Sequence, residues 1–296
     1  MISAAQKNAQ RNRNTIFVED GELLQIDEFP GDQFVMRIRS PKCAAAAEPG
    51  SFVHVTCDDA LPMRRPLSIM RVKDDCIDIL FKIVGDGLRR LASRQKGDSI
   101  SVLGPIGQAF RPSRERPNTL LIGGGVGIPP MVFLAGSLRQ QGGNWSPLCI
   151  LGSELPFPFE IMSSNLSIPW VDDTINATMP LIEDWGIPCR LATLAGVGGC
   201  FDGYVTDLAD RWLSTLTADE RQKTEIFSCG PTPMLKAVAT LATKYDLPCQ
   251  VSLEEFMACA VGGCAGCAVK IKTPEGDAMK RVCVDGPVFE ASTVIW

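Results

Sequence analysis

The chain has 296 residues, a formal net charge of -5 and a pI near 5.1. Hydrophobic residues make up 45% and charged residues 21%, which excludes a disordered, collagen-like or coiled-coil protein. The acidic balance argues against nucleic acid as a partner, and the single histidine, His54, argues against a Ser-His-Asp mechanism.

The N-terminal 14 residues are polar and predict a loose tail without the apolar run of a secretory signal. The longest apolar stretch, residues 119–136, is broken by glycines and prolines, so no membrane span is expected. On these features we expect a cytoplasmic protein, in which thiols stay reduced. The 12 cysteines are therefore not expected to form a disulfide framework.

Residues 15–112 contain short alternating hydrophobic runs separated by turn residues, which predict an antiparallel β-barrel or sandwich. One helix is expected from Gly87 to Arg94. The run Arg64-Arg65-Pro66-Leu67-Ser68 precedes a strand, where a guanidinium suits a diphosphate and a serine hydroxyl suits a flavin ring nitrogen. Gly85-Asp86-Gly87 opens the helix and is a second candidate anion site. Solvated surface charge explains such arginines equally well.

Residues 113–250 alternate between strands and helices, which predicts a parallel α/β sheet. Strands are expected at 118–124, 146–153, 189–195 and 224–230. Helices are expected through Met131 and Leu138, at 211–222 and at 231–245. The proline-rich segment 154–186 carries no pattern that assigns it.

A glycine-rich turn follows the first of these strands and opens a helix, in the pattern G-x-G-x-x-P formed by Gly125, Gly127 and Pro130. Its N–H groups and the helix dipole favour a pyrophosphate. Cys229 ends a later strand and is expected near the same crevice, because ligands bind at the carboxyl ends of parallel strands. A plain tight turn and an ordinary buried thiol remain alternatives. Glu154, just past the second strand, would hold a ribose hydroxyl or be a solvated acid.

Four cysteines crowd residues 251–296 in the spacing C-x4-C-x2-C, with the fourth after a further fifteen residues: Cys259, Cys264, Cys267 and Cys283. This is the plant-type arrangement of four thiolates around one [2Fe–2S] centre. The residues within the loop are alanine, valine and glycine, so the backbone can approach and donate N–H groups to sulfur. A four-cysteine zinc site and inert buried thiols are the alternatives. So short a module has little room for its own core.

In this order, the R-P-x-S run, the G-x-G-x-x-P turn, the Cys229-Gly230-Pro231 strand end and the cysteine set resemble the ferredoxin-reductase superfamily. Within it, the chain resembles the electron-transfer subunits of dihydroorotate dehydrogenase. The resemblance runs from about Val18 to Phe289 and is strongest at 252–259, 282–289 and 201–207.

The resemblance implies FAD in the barrel, NAD(H) on the α/β domain and a [2Fe–2S] cluster at the C-terminus. FAD would be held by Arg65, Pro66, Leu67 and Ser68, with Gly85 and Gly87 at its phosphates. Gly125, Gly127 and Cys229 would face the nicotinamide nucleotide, and Cys259, Cys264, Cys267 and Cys283 would hold the cluster. Leu88 replaces the family's threonine, so a phosphate contact is expected to be lost, and Ala260 replaces a glycine after the first ligand.

The fold class expected is therefore a multidomain α+β protein: a tail (1–14), an FAD-binding antiparallel barrel (15–112), an NAD-binding parallel α/β domain (113–250) and a small [2Fe–2S] module (251–296). The resemblance implies electron transfer between NADH and an FMN-containing catalytic subunit in a heteromeric complex of pyrimidine biosynthesis, with no acid–base catalyst. A free-standing NAD(P)H reductase and a zinc-stabilised binding module are the alternatives.

Overall fold

The computed structural model describes residues 15–296, so the predicted tail at 1–14 lies outside the described residues. The first unit is a closed antiparallel barrel with strand order β1-β2-β5-β4-β3-β6. Its elements are β1 Phe17–Phe29, β2 Gln33–Arg39, α1 Pro41–Ala46, β3 Phe52–Val55, β4 Arg65–Lys73, β5 Cys76–Lys82, α2 Asp86–Ala92 and β6 Ser99–Ile106. The predicted barrel is confirmed.

Alternate side chains of each strand point inward and fill the barrel. Val53 and Val55 of β3 and Ile77 and Ile79 of β5 are fully buried inside it, because successive side chains of a strand point to opposite faces. Strand β1 was not predicted, since acidic residues interrupt its hydrophobic pattern. One of these acids, the half-buried Glu19, stabilises the start of α1, where its carboxylate accepts hydrogen bonds that include one of 2.8 Å from the Cys43 N–H.

The second unit is a sheet with strand order β12-β11-β8-β7-β13-β14-β17, in which β17 is Val288–Glu290 near the C-terminus. Its first six strands in this order run parallel, as predicted, and β17 is antiparallel. The elements are β7 Asn118–Gly124, α3 Ile128–Gln141, β8 Ser146–Gly152, β9 Met162–Ser163, β10 Ala177–Thr178, α4 Pro180–Asp184, β11 Cys189–Thr193, β12 Phe201–Asp202, α5 Val205–Thr215, α6 Ala218–Gln222, β13 Thr224–Cys229, α7 Thr232–Tyr245 and β14 Cys249–Ser252.

The helix predicted at 211–222 is wrong: two helices, α5 and α6, meet there. Thr217 separates them and caps α6, since its N–H donates to Glu220 at 2.8 Å and its hydroxyl accepts from the Glu220 N–H at 3.3 Å. The helix predicted from Gly87 to Arg94 spans Asp86–Ala92. No helix within residues 15–296 combines the length and apolar character needed to cross a bilayer.

The unassigned segment 154–186 folds against the sheet through β9, β10 and α4. The buried Arg190 of β11 donates to the Leu166 carbonyl at 2.7 Å. The Glu183 carboxylate of α4 accepts from the Ser164 hydroxyl at 2.8 Å and from the Asn165 N–H at 2.7 Å. Side-chain hydrogen bonds thus hold a segment that has little regular structure of its own.

The C-terminal module contains the hairpin β15 Ala268–Thr273 and β16 Gly276–Arg281, followed by β17 Val288–Glu290. The module, which is too short for a large core of its own, shares the hydrophobic core of the sheet. Ile271, Val282 and Val294 are buried in the same hydrophobic cluster as Ile226 of β13. Because β17 also pairs with β14, the module is an extension of the sheet and packs continuously with it.

Glu225 gives the sheet a titratable core position. It is 4% exposed on β13, and burial raises its pKa to about 7, although the Ser113 N–H donates to it at 2.7 Å. An acid with a raised pKa stabilises the fold at low pH and loses that contribution as pH rises towards and past the folded-state value.

We therefore expect Glu225→Gln to be less sensitive to alkali than the native protein. The native free energy of unfolding should fall between pH 5 and pH 8 by about 2–3 kcal/mol more than that of the variant. Denaturant unfolding at both pH values measures this difference, with the exposed Glu275→Gln as the control. Equal pH slopes in native protein and Glu225→Gln would contradict it.

Candidate functional site

The four predicted cysteine ligands come together in two pairs. In the first, the Cys259 sulfur accepts the backbone N–H of Cys264 at 3.4 Å, and the two side chains are in hydrogen-bond contact. In the second, the sulfurs of Cys267 and Cys283 lie 3.4 Å apart. The charge of Cys259 also acts on Cys283, so the pairs are neighbours.

Backbone N–H groups surround the first pair. Burial alone would raise the pKa of Cys259, but N–H groups of Cys264, Val261 and Gly263 outweigh it and lower the pKa to about 7. The Gly266 N–H likewise points at the Cys264 sulfur at 3.4 Å. Burial and Cys267 raise the pKa of Cys283 to about 12. Donors aimed at sulfur stabilise thiolates and tune the potential of an iron–sulfur centre.

The loop keeps this shape through left-handed backbone and one arginine. Ala260 and Ala265 have φ values of 54° and 56°, and Gly262 has 82°. Ala260 stands where the family has glycine. Its side chain therefore occupies a left-handed position that glycine would adopt without steric penalty. Arg281 fixes the loop to β16, because its guanidinium donates to the Gly262 carbonyl at 2.9 Å.

The donor set fits a two-iron cluster. A [2Fe–2S] centre takes four thiolates, two for each iron, and the thiols are arranged as two neighbouring pairs. Within residues 15–296, no group of three or more histidine, cysteine or acidic side chains is gathered closely enough to hold a metal ion, so the thiols form two pairs and not one compact group.

The glycine-rich turn and Cys229 meet as predicted. Cys229 pairs with Gly123 across β13 and β7, and a Cβ on Gly127 would overlap the Cys229 carbonyl. Gly125 has a φ of 54° and open space where its side chain would be. The turn therefore presents bare backbone at the start of α3, as a bound pyrophosphate requires.

Two polar residues, to which the sequence analysis gave no role of their own, lie beside Cys229. Ser252 is its partner across β14, with the side chains in hydrogen-bond contact, and the charge of Glu254 acts on the thiol. Burial raises the pKa of Cys229 to about 12. Glu254 is partly open to solvent, yet reduced hydration and the neighbouring Glu255 raise its pKa. Only the pairing of β13 with β14 brings them together.

The residues of β4 that the sequence analysis singled out lie on two opposite faces of the strand. Pro66 and Ser68 of β4 lie on the opposite face from Leu67, which is buried in the barrel core and can reach a ligand only with its backbone. Arg65 lies across the start of α2: a Cβ on Gly87 would come within 2.9 Å of its guanidinium. Gly85 has open space at its Cα.

The cation of Arg65 is available to an anion. Its guanidinium donates to the carbonyls of Met63 and Arg64, at 2.8 and 3.2 Å, and forms no ion pair with any residue of the 15–296 segment. An unpaired guanidinium beside two glycines at a helix start fits a diphosphate. Leu88, next along the helix, is buried in the barrel core, and its expected effect on FAD remains a prediction.

We expect Arg65→Ala to bind FAD at least about tenfold more weakly, because a charge-assisted contact to phosphate is lost. The ratio of flavin to protein absorbance after gel filtration measures the change. Arg39→Ala is the matched control, since Arg39 is an exposed barrel arginine paired with Glu22. Native flavin content in Arg65→Ala would refute this role.

His54 carries no predicted role and stays neutral. It is buried on β3, and burial lowers its pKa to about 4. Neither ring nitrogen has a hydrogen-bond partner among the residues from 15 onwards. His54 is therefore uncharged near neutral pH. The charges of Arg64 and Arg65 act on its ring.

The turn at residues 282–286, which carries Cys283 and is called the cysteine turn below, is attached directly to the barrel. Gln108, just past β6, bonds to two of its carbonyls: the backbone N–H of Gln108 donates to Gly286 at 2.6 Å and its side chain donates to Val284 at 3.0 Å. A Cβ on Gly107 would overlap Pro287. The turn that carries Cys283 is therefore held against the barrel on one side and against β14 on the other.

Residues 254–295 match the family model described as the iron-sulfur cluster binding domain of dihydroorotate dehydrogenase B. The chain is 31% identical over 249 residues to the dihydroorotate dehydrogenase B (NAD(+)) electron transfer subunit of Caldanaerobacter subterraneus subsp. tengcongensis, covering 84% of this chain and 87% of that protein. The corresponding subunit of Desulforamulus reducens is 32% identical over 284 residues, covering 94% and 98%.

Among solved structures, a chain of the NADH-dependent reduced ferredoxin-NADP oxidoreductase has a TM-score of 0.75 and 26% identity, covering 94% of this chain and 90% of that one. Barrel, parallel sheet and cysteine module together define an electron-transfer oxidoreductase component of the ferredoxin-reductase type. The chain belongs to the family of dihydroorotate dehydrogenase B electron transfer subunits. The resemblance drawn from the motifs and the predicted fold class are confirmed.

Proposed function

We propose that this chain passes electrons between NADH and an FMN-containing catalytic subunit, through FAD and a [2Fe–2S] cluster. The partner fits a dihydroorotate dehydrogenase catalytic subunit of pyrimidine biosynthesis, because the curated relatives are named as electron transfer subunits of that enzyme. We propose that 15–112 binds FAD, 113–250 binds NAD(H) and 251–296 binds the cluster. Twelve free thiols suit a reducing compartment such as the cytoplasm.

The observation that carries this proposal is the attachment of the cysteine turn to the barrel. Gln108 holds Val284 and Gly286 on the barrel side, and β17 holds the same module on the sheet. The cysteine loop also begins directly after Ser252, the strand partner of Cys229. These contacts join the units proposed to bind flavin, nucleotide and cluster, which supports electron transfer among the three groups.

Each set of residues has a distinct role. Arg65 neutralises the FAD diphosphate, and Ser68 lies on the same strand for the ring. Gly125 and Gly127 present N–H groups to the pyrophosphate of NADH, and Cys229 borders the place of its nicotinamide. FAD bound here would supply the link between two-electron hydride chemistry and single-electron transfer. The chain needs no general base for this chemistry, which agrees with its single, neutral histidine.

An anaerobic preparation tests the cofactor assignment. Iron and acid-labile sulfide should each approach about two per chain, with a flavin and iron–sulfur visible spectrum. Zinc without iron in a colourless protein would replace the proposal with a metal-stabilised binding module.

Co-purification tests the partner. The chain should form a stable complex with an FMN-containing dihydroorotate dehydrogenase subunit and reduce its FMN when NADH is added. An iron–sulfur flavoprotein that forms no such complex but reduces a soluble acceptor would be a free-standing reductase.

A further inference from the structure

Arg281 lies where the chain segments that carry the four cysteines meet. It ends β16, two residues before Cys283, and its partner across the hairpin is Ala268, which directly follows Cys267. Its guanidinium reaches the loop that carries the other two cysteines, where Nη1 donates to the Gly262 carbonyl at 2.9 Å. One side chain therefore connects the strand ends beside the second thiol pair with the loop of the first pair.

The residue held by Arg281 also contacts a cysteine sulfur. The backbone N–H of Gly262 is in hydrogen-bond contact with the Cys283 thiol, while its carbonyl accepts from Arg281. Gly262 packs closely on the cysteine turn, since a Cβ there would come within 2.6 Å of a Val284 methyl carbon. A guanidinium that fixes the carbonyl of a residue in left-handed backbone also helps to fix the direction of its N–H. Arg281 thus acts on Cys283 through Gly262.

The charge of Arg281 is only partly neutralised. Its Nε lies 3.6 Å from the Asp285 carboxylate, whose shorter hydrogen bond, 2.8 Å, comes from the Arg281 backbone N–H. A cation beside a group that carries four thiolates stabilises the reduced state most, because that state holds one more negative charge. N–H donors aimed at sulfur act in the same direction. The side chain is 41% exposed, so solvent weakens this effect without abolishing it.

We propose that Arg281 raises the reduction potential of the [2Fe–2S] cluster, through its charge and through its hold on Gly262. This inference rests on the proposed cluster and adds the residue that tunes it. Arg281 is a positioning residue, because it acts on the proposed ligand Cys283 through the Gly262 backbone. A higher potential makes the cluster a better acceptor for electrons that leave FAD, which favours the direction from NADH to the partner.

A potentiometric titration of the purified holoprotein, followed by the electron paramagnetic resonance signal of the reduced cluster, tests the proposal. Arg281→Gln keeps a donor for the Gly262 carbonyl but removes the charge. Its one-electron reduction should be about tenfold less favourable, a shift of about 59 mV to lower potential. Arg281→Lys retains the charge and should keep most of the native potential. Lys272→Gln is the matched control, since it removes the same charge from the exposed far end of the hairpin and should leave the potential unchanged.

Iron and sulfide assays accompany each titration and separate the outcomes. If the native protein holds no cluster, the proposed function and this inference fall together. If Arg281→Gln holds a full cluster at the native potential, or if the potential of Arg281→Lys falls as far as that of Arg281→Gln, the charge does not tune the cluster and the inference fails alone. Should Arg281→Gln bind too little iron to titrate, Asp285→Asn decides. This variant removes the neighbouring acid and should raise the potential, and a native or lower value would overturn the inference.

Discussion

Replacement of Cys264 by serine is expected to remove most of the iron and sulfide while leaving reduction of FAD by NADH intact. Cys264 is exposed and contributes one thiol to the pair with Cys259, so its loss deprives one iron of a ligand without disturbing a core. Electron delivery to the partner should fall by more than about 100-fold, since loss of supporting contacts alone costs about 10- to 100-fold. Iron and sulfide assays and stopped-flow flavin bleaching measure the two effects.

Cys200→Ser is the matched control. Cys200 is a half-buried free thiol outside the cysteine loop, so its replacement should leave iron, flavin and partner reduction unchanged. The decisive comparison is the rate at which each variant reduces the partner. If Cys264→Ser reduced the partner at the native rate, electrons would not pass through the cluster in series.

What the sequence could predict depends on how local each signal is. The cysteine loop and the glycine-rich turn each lie within a short stretch of chain, and their spacing alone carries the chemistry. The break between α5 and α6 also had a local signal: Thr217 and Glu220 form the three-residue spacing of a capping box. The pattern of hydrophobic residues alone predicts one helix at 211–222 and misses this break.

The rest of the site required long-range contacts. Glu254 and Ser252 reach Cys229 only because β14 pairs with β13. Arg65 meets Gly87 because the barrel closes, and Gln108 meets Gly286 across more than half of the chain. Segment 154–186 gave no pattern because single side chains, such as Arg190 and Glu183, hold it through bonds to its backbone.

Replacement of Gly127 by alanine is expected to damage both the sheet and the nucleotide site. A Cβ at this position would overlap the carbonyl carbon and oxygen of Cys229 and the backbone nitrogen of Gly230. These are backbone atoms of the neighbouring strand end and cannot rotate away, so the turn or β13 must shift. Overpacking of this kind costs about 1–3 kcal/mol. Either shift changes the position of the N–H groups of the turn relative to the end of β13, and so distorts the site for the pyrophosphate.

We therefore expect Gly127→Ala to lower the melting temperature and to weaken ADP-ribose binding at least about tenfold, with flavin content unchanged because the barrel is not involved. Gly198→Ala provides the comparison, since a Cβ there meets nothing within 4 Å and its φ is not positive. That control should keep native stability and binding. Native affinity for ADP-ribose in Gly127→Ala would show that the bare backbone at this turn does not form the nucleotide site, because the overlap with Cys229 must move the turn and the end of β13 relative to each other.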